Sequence, residues 1–125
     1  MKLLNYKLNN KFCLITGAAG LLGYEHASAI LEAEGNVVLT DLNEKKLVQT
    51  QKKLKNIFSK QKVLYYKMDV SNIDSINFVL KKLKKKKIKI KILINNAAID
   101  SKIDKKNNFS NNFELEKFSL DVWNK

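Results

Sequence analysis

The chain has 125 residues, 45% of them apolar, and a single cysteine; it is long and apolar enough for one globular domain, which excludes a disordered or disulfide-stapled chain. No apolar run approaches a bilayer span, and residues 1–15 hold neither an uninterrupted apolar core nor a small-residue cleavage site, so neither a spanning helix nor a signal peptide is expected, and a cytoplasmic protein is. The formal charge of +12 comes entirely from 24 lysines with no arginine, so the planar fork that reads guanine and phosphate bidentately is missing and a nucleic-acid partner is not expected.

In chain order, residues 11–16 (KFCLIT) form a short apolar, branched run that stops at a glycine, as a fully buried strand does. Residues 21–33 then change to helical spacing, with Leu22, Ala27, Ile30 and Leu31 near one face and Gly35 placed to close the helix. Residues 36–40 (NVVLT) read as a second buried strand. Residues 43–59 carry Leu47, Leu54, Ile57 and Phe58 on one side of a lysine-rich surface helix.

A third strand is expected over residues 63–68. Ser71 follows as a helix N-cap, with Asp74 three residues on, and Ile73, Ile76, Leu80 and Leu83 mark the face of the helix behind it. Eight lysines and no acid lie between Lys81 and Lys91, and without them the rest of the chain carries only +4. The run reads as a solvated helix end, and a base-composition bias toward AT-rich codons accounts for the abundance of lysine, isoleucine and asparagine. Residues 88–94 become a fourth strand with an apolar edge, Ile92-Leu93-Ile94. Residues 95–115 are asparagine-rich and loop-like, and residues 119–125, with Phe118 and Trp123 packing, resemble the first turns of another helix.

The order β-α-β-α-β-α-β, with strands of five or six residues, implies a parallel, doubly wound α/β sheet of the Rossmann type with right-handed crossovers. About four strands are expected, in spatial order 3-2-1-4, over a single domain spanning residues 1–125.

Three of the four glycines, Gly17, Gly20 and Gly23, fall between the first strand and the first helix. Glycine there permits a tight turn and close approach of a pyrophosphate, and the helix N-terminus beyond it offers free N–H groups and a positive dipole. Asp41 ends the second strand, 24 residues after Gly17. Its carboxylate either accepts the hydroxyls of an adenosine ribose, which favours NAD by repelling a 2′-phosphate, or caps the second helix. Asp69-Val70 ends the third strand and Asn95-Asn-Ala-Ala98 the fourth, so all these points lie at carboxyl ends of parallel strands, where open α/β sheets bind ligands. His26 and Cys13 read as a packed or surface histidine and an inert buried thiol. No cluster has metal-ligand spacing.

With these four motifs in this order, residues 11–125 resemble the N-terminal part of a short-chain dehydrogenase/reductase. The resemblance implies that Gly17, Gly20, Leu22 and Gly23 wrap the pyrophosphate of NAD and that Asp41 and Leu42 contact the adenosine ribose. Asp69 would bond the adenine amino group, with Val70 beside the ring. Asn96, Ala97 and Ala98 would line the ribose nearest the nicotinamide, while Asn95 braces the sheet. Two residues separate Gly17 from Gly20 where the commonest short form has three. That spacing is closer to the extended branch, which often acts on nucleotide sugars, and tilts the expected substrate toward a sugar or nucleotide sugar. Ala98 stands where the family usually has glycine.

The family's chemistry uses a tyrosine as general acid/base with a lysine four residues later, together with an assisting serine and asparagine. Tyr6, Tyr24, Tyr65 and Tyr66 are followed at that spacing by Asn10, Ser28, Asp69 and Val70, so no catalytic residue is assigned. The expected protein is the NAD-binding portion of an oxidoreductase, stopping before the catalytic half, for which homo-oligomerisation is not expected and a small-molecule substrate requires a C-terminal half. A binding-only nucleotide module or subunit is the alternative. A nucleic-acid binder using Lys81–Lys91 is a third possibility, separable by the salt dependence of binding.

Overall fold

The computed structural model describes residues 6–98. The expectations for residues 99–125, the asparagine-rich loop, the packing of Phe118 and Trp123, and the following helix, lie outside the described residues. Seven elements alternate as expected: β1 (Phe12–Thr16), α1 (Leu21–Glu32), β2 (Asn36–Asp41), α2 (Glu44–Ile57), β3 (Val63–Lys67), α3 (Ile73–Lys85) and β4 (Ile90–Ile94). The strands form one parallel sheet in the order β3-β2-β1-β4. Thr16 stands beside Thr40, and Asp41 beside Lys67, so the carboxyl ends of the three leading strands are level.

Strand alternation divides the core between the two faces. Cys13, Ile15, Val37, Leu39 and Val63 point to one face, where Ala27 and Leu31 of α1 and Leu47 and Leu54 of α2 cover them. Leu14 and Val38 point to the other, under Val79 and Leu83 of α3. The central strands are hydrophobic on both faces because both are covered. At the sheet's amino end, the buried Asn36 side chain donates to the Asn10 carbonyl at 2.7 Å and accepts from Lys62 N–H at 2.7 Å. It thereby ties together the lead-ins to β1 and β3. No helix among the described residues is long and apolar enough to cross a membrane.

Several local expectations are corrected. The helix α1 is not closed by a left-handed glycine; Glu34 takes that conformation, at φ +62°. Glu34 N–H bonds the Leu31 carbonyl and Gly35 N–H the Ile30 carbonyl, a complete Schellman closure. Gly35 is small because a Cβ there would lie 2.9 Å from the Ile30 carbonyl oxygen. The N-cap of α3 is Asn72, whose side chain accepts from Asp74 N–H and Ser75 N–H, rather than Ser71. Its buried line runs through Val79 and Leu83 with Ile76 beside them, whereas Ile73 and Leu80 are largely exposed. Ile57 on α2 and Leu22 on α1 also face outward. The fourth strand begins at Ile90 rather than Ile88, because Lys87 turns the chain at φ +56°.

Candidate cofactor-binding site

The loop between β1 and α1 is held from three directions. Ala18 N–H donates to the Thr40 carbonyl at 3.0 Å, and Ala19 N–H to the Asp41 carboxylate at 3.1 Å, which fastens the loop to the end of β2. From the other side, the Asn96 amide donates to the carbonyls of Thr16 and Gly17, each at 3.1 Å. Asn96 thus braces β1 against β4, the role expected of Asn95, which is exposed. The alternation puts Asn96, not its neighbour, next to β1.

Thr16 ties this junction from the opposite strand. Its hydroxyl accepts from Asn96 N–H and Ala97 N–H, both at 3.0 Å, and donates to the Ile94 carbonyl at 3.4 Å. Sequence reasoning did not single out Thr16, since a threonine at a strand end is ordinary by composition. The one available cue was its position immediately before the first glycine.

The three glycines have three different reasons. Gly17 sits at φ +62°, and an added Cβ would lie 2.9 Å from the Ala97 Cα. Gly23 lies in the first turn of α1, where a Cβ would be 2.6 Å from Ala18 Cα. Gly20 is different: its φ of −83° suits any residue, and the nearest atom to an added Cβ is the Gly17 carbonyl oxygen at 3.4 Å. The fold itself does not require glycine there.

Beyond Gly20 the helix N-terminus is left open. Helices α2 and α3 are capped by Asn43 and Asn72 and carry Glu44 and Asp74 in their first turns. Helix α1 has neither a side-chain cap nor an acid in its first turn. Its leading N–H groups and the positive end of its dipole face outward at a glycine without a side chain, beside the exposed Leu22. This arrangement suits an anion that approaches the backbone.

Asp41 borders the same mouth. One carboxylate oxygen accepts from Ala19 N–H and the other from Asn43 N–H, at 2.9 Å. Asn43 accepts from Lys46 N–H and is itself the N-cap of α2, so Asp41 is not the cap. A carboxylate has about four acceptor positions, and each Asp41 oxygen keeps one for a further donor. Leu42 beside it is exposed.

Asp69 continues the rim. Its carboxylate accepts from the Ser71 hydroxyl at 2.6 Å and from Ser71 N–H at 2.9 Å, and these bonds hold its pKa below the ordinary carboxylate value. Its backbone N–H donates to the Ser75 hydroxyl, and Val70 is half exposed next to it. Ala97 and Ala98 are exposed at the end of β4. The sheet therefore brings all the expected site residues to one edge, on four strand ends and one helix start. Cys13 lies inside the sheet, and burial pushes its thiol up to about 11. Among the described residues no cluster could hold a metal ion.

Comparison with known proteins agrees with this geometry. A family model for short chain dehydrogenases matches residues 11–124. A short chain dehydrogenase/reductase of Gibberella zeae is 40% identical over 92 residues, 74% of this chain and 33% of its own length. The 15-hydroxyprostaglandin dehydrogenase [NAD(+)] of Homo sapiens is 32% identical over 94 residues, 75% of this chain and 35% of its own. Among solved structures, a candidate D-mannonate oxidoreductase from Haemophilus influenza with bound NAD superposes with a TM-score of 0.71 at 30% identity, covering 78% of this chain and 34% of that one. The L-sorbose reductase of Gluconobacter frateurii, complexed with NADPH and L-sorbose, shares the fold at a TM-score of 0.73 and 23% identity, covering 78% and 37%. The chain thus spans about a third of the length of these relatives.

Proposed function

The chain belongs to the short-chain dehydrogenase family, and on that premise we propose that it is the NAD-binding portion of an oxidoreductase that moves a hydride between the nicotinamide and a hydroxyl or carbonyl carbon. The uncapped start of α1 behind Gly20 carries this reading. It is the one helix N-terminus among the described residues left without a capping side chain or an acid in its first turn, and it suits a pyrophosphate.

In this reading Gly17, Gly20, Leu22 and Gly23 surround the pyrophosphate, and Asp41 and Leu42 meet the adenosine ribose. Asp69 and Val70 meet the adenine, while Asn96, Ala97 and Ala98 approach the second ribose. The bound dinucleotide supplies the hydride chemistry. This chain's residues orient it and fix which dinucleotide enters. Asp41 places a negative charge where a 2′-phosphate would sit, which favours NAD over NADP. The protein works in the cytoplasm on this view, and the glycine spacing inclines its substrate toward a sugar or nucleotide sugar. The proton donor lies outside these residues, since no tyrosine here is followed four positions later by lysine. The same observation supports a second reading, a binding-only module completed by another chain or acting as a nucleotide sensor.

Titration calorimetry with NAD and NADP tests the assignment. The charge of Asp41 against a 2′-phosphate amounts to about 1–4 kcal/mol between water-like and protein-like screening. NAD is therefore expected to bind at least about fivefold tighter, a margin that Asp41→Asn narrows. Equal affinities in the unaltered chain overturn the NAD preference, and no binding of either overturns the cofactor site.

A further inference from the structure

We propose that the lysine-rich end of α3 and the groove beneath it dock this protein on an anionic membrane surface. The groove, of about 480 Å³, is lined by the aliphatic Leu80, Leu83 and Ile88 and by Lys84, Lys87 and Lys89. The chain reversal after α3 builds it. Lys87, at φ +56°, donates its N–H to the Lys84 carbonyl, and Ile88 N–H bonds the Leu83 carbonyl. That closure brings Ile88 back to Leu83 and sets the lysines beside aliphatic side chains. Leu80 is 49% exposed on the flank.

Charge selects the partner. No acid lies between Lys81 and Lys91, and Lys11 stands at the same end of the sheet, since Phe12 pairs with Ile90. Among the described residues, the acids at that end of the sheet are Glu32 and Glu34 at the close of α1, and Glu34 is bridged to Lys7 at 2.9 Å. The partner is therefore anionic, and the aliphatic lining gives it an apolar component as well.

Three classes of anion meet that description unequally. Specific protein interfaces are enriched in aromatic anchors at their cores, yet the lining of this groove holds aliphatic side chains and lysines and no aromatic. Single-stranded nucleic acid needs aromatic platforms for its bases, and the exposed aromatic of α3, Phe78, lies under the Lys82 ammonium at 5.0 Å. A bilayer leaflet asks only for a dense array of flexible ammonium groups and some aliphatic surface to enter the headgroup boundary. The groove lies at the amino ends of the strands, opposite the glycine loop, so a docked molecule keeps its cofactor mouth toward water.

Vesicle flotation of the full chain tests this, because it separates bound protein from aggregate. Phosphatidylcholine vesicles with about 30% phosphatidylserine, the anionic charge that attracts basic segments, are expected to carry the protein upward, and pure phosphatidylcholine vesicles are not. Each neutralised lysine should lower the partition coefficient about fivefold, so the combined Lys84→Gln, Lys87→Gln, Lys89→Gln variant loses about a hundredfold. Leu80→Gln, which changes no charge at an exposed position, should lose a few-fold. Absence of flotation, or a Leu80→Gln protein that binds like the unaltered chain, overturns the proposal. So does competition in which duplex DNA or polyglutamate displaces the vesicles at equal charge concentration, assigning the surface to a nucleic acid or an acidic protein instead. NAD binding, measured separately, is untouched by any of these outcomes.

Discussion

Alanine at Gly20 and alanine at Gly17 should have opposite consequences, although both remove a glycine from one loop. At Gly20 the backbone is extended, and the new methyl meets only a carbonyl oxygen at 3.4 Å. Reduced freedom of the unfolded chain stabilises by about 0.4–1 kcal/mol, and the poorer N-cap offsets about as much. Stability should therefore stay within about 1 kcal/mol of the unaltered chain. The methyl does, however, lie at the open helix start, where the pyrophosphate is proposed to bind. Overpacking of that kind costs about 1–3 kcal/mol, so NAD affinity should fall about 5- to 150-fold. At Gly17 the left-handed backbone costs about 1–2 kcal/mol for alanine. The clash with Ala97 Cα at 2.9 Å adds about 1–3 kcal/mol, since backbone rather than a flexible side-chain tip must move. Against a typical domain stability of about 5–15 kcal/mol, that loss is large. Urea unfolding and NAD calorimetry on both variants separate the two effects. A Gly20→Ala protein that binds NAD like the unaltered chain, or that unfolds as readily as Gly17→Ala, would refute the reasoning.

Three further outcomes follow from the same structure. Thr16→Val leaves Asn96 N–H and Ala97 N–H without their acceptor and should destabilise by about 1–3 kcal/mol, the net worth of two part-buried hydrogen bonds; Thr16→Ser should restore most of it, and equal urea midpoints for the two variants would contradict the hydroxyl's role. The raised thiol of Cys13 gives a defined pH window: below about 9 both folded and unfolded states hold the proton, and between about 9 and 11 only the unfolded thiol ionises. Stability should therefore lose its Cys13 contribution across that window as pH rises, while alkylation at neutral pH stays slow until urea is added; rapid native alkylation would contradict the burial. Leu93, 58% exposed on β4 beside Leu14, lies on a strand whose one neighbour among the described residues is β1. Expressed by itself, the 125-residue chain should aggregate as its concentration rises, and Leu93→Lys should raise the concentration at which it stays monomeric; an unaltered chain as monomeric as the variant at every concentration would contradict this.

The seven elements and their order were legible because strand and helix periods differ strongly and each strand here is a short, branched, apolar run. The strand order came with the family resemblance, since right-handed crossovers alone also permit other orders. Helix faces were less legible. Ile73, Leu80, Ile57 and Leu22 fit the periodic pattern, yet they lie on or beyond the edge of the buried stripe, because spacing fixes a repeat without fixing where the sheet surface ends. Caps failed for a related reason. Ser71 and Asn72 are both good caps by type, and the choice depends on which residue's backbone turns extended at the helix start. Glu34 replaces a glycine in the left-handed position, so composition pointed one residue too far, to Gly35.

The site divides along the same line. Sequence alone determined the glycine loop, the acid 24 residues behind it and the asparagine-rich end of the fourth strand, because each is a chemical requirement tied to a local spacing. Only the tertiary structure decided that Gly17 and Gly23 serve backbone packing while Gly20 leaves space, that Asp41 is joined to Ala19 rather than capping α2, and that Asn96 and Thr16 lock β4 to β1. Those assignments depend on contacts between residues up to 81 positions apart. Which of two adjacent side chains meets such a partner is set by strand register, and register exists only once the sheet has formed.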